Sequence, residues 1–111
     1  MQSFSWGAVA RVPFPQVERD RRQNRPALVV AVFDLPNPLL WVLMITSAEN
    51  EPWEGDIPIV NFAEAGLPAP SVIRTAKIGT VEMRQSEFAG RVSNKIMAKV
   101  ERRLAATFAA K

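Results

Sequence analysis

The chain has 111 residues and a net charge of +3, with fourteen Lys or Arg, eleven Asp or Glu, and neither Cys nor His. That length predicts one domain, 1–111, with one packed core. The missing residue types exclude a thiolate nucleophile, an imidazole base and a zinc site of the usual nitrogen and sulfur kind, and the carboxylates are too scattered to suggest a magnesium site.

In chain order, residues 6–14 (WGAVARVPF) form the first strand candidate, with Pro13 restricting it to a sheet edge or a strand end. Residues 15–24 (PQVERDRRQN) have no apolar period and read as an exposed, mobile loop. From Arg25 to Ser47, two apolar runs (26–33 and 39–45) flank Asp34-Leu35-Pro36-Asn37-Pro38. Short runs rich in Val, Leu and Ile predict two strands buried on both faces, and two prolines in five residues force a turn between them. Residues 48–56 (AENEPWEGD) form a polar loop carrying Trp53, and 56–60 a short strand that Pro58 restricts to an edge. Residues 61–70 hold a single helical turn at best, ended by Gly66 and Pro68. Residues 71–83 read as a strand bent at Gly79, followed by a turn near Arg84-Gln85 and a last strand at 87–92.

The one clear helix closes the chain over about 93–109. Ser93 suits the N-cap, Val92 can staple onto Met97, and Ile96, Val100, Leu104 and Phe108 repeat every four residues. Lys95, Lys99, Arg102 and Arg103 fall off that stripe. They read as a solvated outer face ahead of a nucleic-acid surface, so the helix is assigned to packing. Six strands without βαβ alternation and one terminal helix describe a mainly β fold, a small barrel over about 5–92 or a strongly curled sheet. No apolar run approaches the ~20 residues of a membrane span, and Met1-Gln2-Ser3-Phe4 lacks the layout of a signal peptide. With no cysteine, the expectation is a cytoplasmic protein without a membrane role.

The polar ends of the central pair are where chemistry can sit. In an antiparallel hairpin, the start of the first strand lies beside the end of the second, which brings Arg25 to Thr46 and Ser47. Ser71 and Arg74 repeat the pattern of a hydroxyl and a guanidinium separated by apolar residues. If Arg74 points to the same edge, the cluster suits an oxyanion or phosphate, because the planar Arg fork matches phosphate oxygens. The plainer alternative is that both arginines pair with loop carboxylates. The positive balance favours an anionic partner, nucleic acid or an acidic protein.

The sequence resembles the PemK/MazF family of toxins from bacterial type II toxin–antitoxin pairs. The resemblance rests on Gly7 with AVARVPFP, Arg25-Pro26-Ala27-Leu28-Val29-Val30, Ile45-Thr46-Ser47 and Gly55-Asp56-Ile57-Pro58-Ile59. Ala65 through Arg74 and Lys77-Ile78 complete it, in the family's order and spacing over about residues 6–108. It implies an SH3-like (CcdB/MazF-type) barrel, a homodimer, an acidic antitoxin partner with which DNA is bound, and growth inhibition by metal-independent, cofactor-free cleavage of single-stranded RNA at short motifs. The implied products are a 2′,3′-cyclic phosphate and a 5′-hydroxyl. By position, Arg25 matches an arginine implicated in proton transfer or phosphate stabilisation, Thr46 a threonine on the scissile phosphate, and Ser47 its neighbour. Arg74 matches an arginine used as acid or phosphate clamp. Ala76 stands where those members carry the base, and the resemblance passes that role to Asp20 or Glu18. Arg22, Trp53, Ser71 and Lys77 complete the expected RNA contacts, with ordinary edge packing as the alternative for Trp53. A non-enzymatic, CcdB-like toxin or interaction module that binds a protein such as gyrase is the competing reading.

Overall fold

A computed structural model describes residues 4–13 and 24–110, and Glu18, Asp20 and Arg22 therefore lie outside the described residues. The elements are β1 (Ala8–Val12), β2 (Arg25–Phe33), β3 (Leu39–Ser47), β4 (Ile57–Ile59), β5 (Ser71–Glu82), β6 (Glu87–Arg91) and α1 (Asn94–Ala109), with a 3-10 turn at Met83–Gln85. The strands form one antiparallel sheet in the order β4-β5-β3-β2-β1-β6.

The β2–β3 hairpin lies at the centre of that sheet, as the two apolar runs require. Its middle is packed on both faces. Leu28, Leu43 and Ile45 join Val9, Ile57, Ile73 and α1 in one cluster, while Ala27, Val29, Leu40 and Val42 join Ala8, Ala10, Val12 and Val81 in another. Leu28, Leu40 and Leu43 have no exposed surface, and each such side chain contributes roughly 1.5–3 kcal/mol on burial. Prolines sit where a missing N–H is tolerated: Pro13 follows β1, and Pro58 lies in the edge strand β4.

Two details of the sheet differ from the sequence expectation. Strand pairing does not close a barrel, because β4 and β6 are the two ends of an open, curled sheet. Backbone contacts of the turn at 62–66 bring it to β6 instead. Arg91 N–H donates to the Glu64 carbonyl at 3.3 Å, and Gly66, at φ 76°, lies where a Cβ would overlap the Ala89 carbonyl. The irregularity in β5 falls at 75–77 rather than Gly79: Arg74 pairs with Met44 and Ile78 with Leu43, leaving three residues unopposed, while Gly79 pairs normally with Val42.

The helix begins as expected, with the Ser93 hydroxyl accepting the Ile96 N–H at 3.2 Å. Ile96, Met97 and Val100 are buried, but the apolar stripe outruns the body it packs on, and Phe108 is 71% exposed. Among the described residues no helix is long and apolar enough to cross a membrane.

Gly66→Ala is expected to destabilise the fold by about 2 kcal/mol, since it adds both left-handed strain and a backbone clash. The check is the thermal midpoint, which should fall by roughly 10 °C.

Candidate functional site

The cleft at the open end of the β2–β3 pair is built by strand register. Ala27 pairs with Met44, so two residues further along Arg25 comes level with Thr46; on the other side of β3, Ser47 pairs with Ser71. Arg25, Thr46, Ser47 and Ser71 line one cleft of about 310 Å³. Its remaining walls include Pro26, Ile45, Asn50 and the Leu67–Pro70 segment. The apolar and proline-rich walls hold the polar groups on short, stiff supports.

Hydrogen-bond bookkeeping separates the hydroxyls. Thr46 Oγ1 accepts from Asn50 Nδ2 at 2.6 Å, and Ser47 Oγ accepts from the Glu49 N–H at 3.1 Å. Each therefore keeps its own proton for another acceptor. Ser71 Oγ donates to the Ala69 carbonyl at 2.9 Å, which commits its proton and leaves it an acceptor. Arg25 is exposed at the mouth. The cleft thus offers a guanidinium and two hydroxyl protons, while none of the described residues lining it is a carboxylate. That donor set fits an oxyanion.

Arg74 does not line this cleft. The pairing of Met44 with Arg74 and Thr46 with Val72 puts Arg74 on the same sheet face as Thr46, as the anion-site expectation requires. The 48–56 loop, however, brings Asp56 to it. Arg74 Nη2 donates to Asp56 Oδ2 and to the Glu51 carbonyl, both at 2.9 Å, and Nε to Asp56 Oδ1 at 3.2 Å. Both side chains are about nine-tenths buried. The guanidinium also stacks on Trp53, with Cζ 4.3 Å from the ring centroid. The geometry is that of the alternative in which an arginine pairs with a loop acid. Trp53 stacks on protein, and Lys77 sits exposed in the β5 bulge; neither lines the cleft. Beside them, Thr75 Oγ1 donates to the carbonyl of Gly55, a residue at φ 92° that lies under Arg103.

The sequence from residue 6 to 108 matches the family model of the PemK-like, MazF-like toxins of type II toxin–antitoxin systems. The chain belongs to this family. A search of curated protein sequences found no match. Among solved structures, MazF from Deinococcus radiodurans is similar, with a TM-score of 0.67, 17% identity and 97% of each chain covered. So is a MazE–MazF structure from the same organism, with a TM-score of 0.66, 15% identity and 95% of this chain and 94% of that one covered. At such identities the likeness concerns the fold, and it agrees with a mainly β toxin carrying one C-terminal helix.

Within this toxin fold, strand-end logic reaches Arg25, Thr46, Ser47 and Ser71. It misses Asn50 and Asp56, which a polar loop with four acidic residues does not single out; the one available signal is Ser47 and Asn50 at turn spacing.

The Arg74 hydrogen bond, the Trp53 N–H and the Arg74 charge together hold the Asp56 carboxyl below the usual carboxylate range, against the opposing effect of burial. The unfolded chain therefore binds more protons in acid, and the pair's stabilisation, complete above the usual carboxylate pKa, is lost as pH falls through the lowered folded value. Denaturant midpoints should drop for the wild type below about pH 4 and change less over that window for Asp56→Asn. At pH 7 the variant should be less stable by about 2 kcal/mol or more, because Arg74 stays charged and buried without its counter-ion.

Proposed function

We propose that this toxin is a metal-independent endoribonuclease that cuts single-stranded RNA at the Arg25–Thr46–Ser47 cleft. The observation that carries the proposal is the cleft's donor set: a guanidinium with two hydroxyls whose protons are uncommitted, held together at the open end of the central β2–β3 pair. The 2′-oxygen of the substrate attacks the adjacent phosphorus, a 2′,3′-cyclic phosphate forms, and the bond to the 5′-oxygen breaks. The attacking hydroxyl gives up its proton, and the departing oxygen takes one to become a 5′-hydroxyl. Such a reaction uses no protein nucleophile. The protein supplies alignment and stabilises the extra charge on the pentacoordinate phosphorane through Arg25, Thr46 and Ser47. Ser71, an acceptor, can receive a hydrogen bond from a base or a 2′-hydroxyl. Asp20 is proposed as the proton acceptor. It lies five residues before Arg25 in the sequence.

Arg74 contributes by holding the loop beside the cleft rather than by touching phosphate. An acidic antitoxin is the proposed protein partner, supported by family membership and the net charge of +3. A second copy of the chain is proposed to cover the exposed apolar surface of Trp41, Ile78 and Phe108, residues that line one shallow depression. The proposed setting is the cytoplasm.

With a long single-stranded RNA in EDTA, the wild type should release cyclic-phosphate ends, and Arg25→Ala, Thr46→Val and Asp20→Asn should each lose about a hundredfold or more in rate. Full activity in Arg25→Ala would place the chemistry elsewhere, and intact RNA with the wild type would favour a toxin acting by binding. In sedimentation, Phe108→Glu should shift the protein from dimer to monomer at micromolar concentration.

A further inference from the structure

Thr46 has one hydroxyl proton, and its usefulness to a phosphate depends on where that proton points. Ser47 opens a tight turn: the Asn50 N–H donates to the Ser47 carbonyl at 3.1 Å, and the Ala48 N–H donates to the Pro70 carbonyl at 3.0 Å. With the Glu49 N–H on Ser47 Oγ, these bonds fold Asn50 back over the end of β3, where its Nδ2 meets Thr46 Oγ1 at 2.6 Å. The following residue is pinned as well, because Arg74 holds the Glu51 carbonyl and, through Asp56, the far end of the loop. Asn50 is therefore fixed on both sides along the chain.

An amide NH₂ group can only donate. Facing Nδ2, Thr46 Oγ1 must accept, and its proton is directed away from Asn50. Both residues line the same cleft, and so does Arg25. We infer that Asn50 is a positioning residue that orients the Thr46 hydroxyl to donate to a phosphate oxygen in the cleft, with the buried Arg74–Asp56 pair as the clamp that holds Asn50 in place. This rests on the ribonuclease reading of the cleft. Asn50 and Arg74 thus act through Thr46, without contact with the reacting atoms.

The test compares Asn50→Ala and Asn50→Asp, each in the wild-type and Thr46→Val backgrounds, by kcat and KM on single-stranded RNA in EDTA. Asn50→Ala should lower kcat about tenfold with KM nearly unchanged, since a donor to the transition state is mis-aimed rather than removed. Asn50→Asp should lose more, about a hundredfold, because its carboxylate accepts the Thr46 proton and repels the phosphate. In the Thr46→Val background, Asn50→Ala should cost nothing further. An equal loss in both backgrounds, or an Asn50→Asp variant as active as Asn50→Ala, overturns the inference. Wild-type protein that leaves RNA intact overturns the ribonuclease reading instead. The orientation is then read from binding of a 2′-deoxy oligonucleotide: Asn50→Asp must weaken it several-fold, and by more where Thr46 is present than in the Thr46→Val background, where only the charge repulsion remains. Equal weakening in both backgrounds, or none, overturns the inference there too.

Discussion

The ion pair between Arg74 and Asp56 is the constraint on which the site's architecture depends. Two opposite charges are nine-tenths buried, so each has given up most of its water and must be satisfied by protein. The satisfaction is nearly complete. Asp56 receives Nε and Nη2 of Arg74 and the Trp53 N–H, while Nη2 also reaches the Glu51 carbonyl and the ring of Trp53 covers the guanidinium. Removing either partner would strand the other's charge. A loop of polar composition, with little apolar surface of its own to bury, is thereby anchored to β5.

The sheet supplies the other half of the support. Three unopposed residues in β5 interrupt its pairing with β3 immediately after Arg74, and Thr75, the first of them, uses its hydroxyl to hold Gly55. Loop 48–56 is thus tied to β5 at two adjacent residues. On the opposite side of Arg74, β3 and β5 stay in regular register from Met44–Arg74 to Ser47–Ser71, which carries Thr46, Ser47 and Ser71 to the cleft. Regular pairing positions the hydroxyls, and irregular pairing positions the loop that orients one of them.

Electrostatically the two arginines do different work because their surroundings differ. Arg25 is exposed at a strand start and free to meet an anion. Arg74 is buried, and burial without a carboxylate would be costly. The same residue type, expected from the sequence at one shared anion site, ends exposed at an open cleft in one case and in a buried ion pair in the other.

Much of the fold was legible in the sequence. Apolar runs bounded by Pro and Asn determined the central hairpin, Pro58 the edge strand, and Ser93 with the four-residue apolar repeat the helix, since these are local effects of sterics, capping and periodicity. Antiparallel geometry was enough to bring Arg25 to Thr46 and Ser47. Whether the sheet closed, where β5 bulged, and how much of the α1 stripe found a partner were decided only in three dimensions, because each depends on what surface remains after the other elements have packed. The same holds for the loop. Glu49, Glu51, Glu54 and Asp56 are equivalent as local sequence, and only the fold decides that Asp56 meets Arg74 and that Asn50 folds over Thr46, because a charge's partner is chosen by burial and distance rather than by its neighbours along the chain.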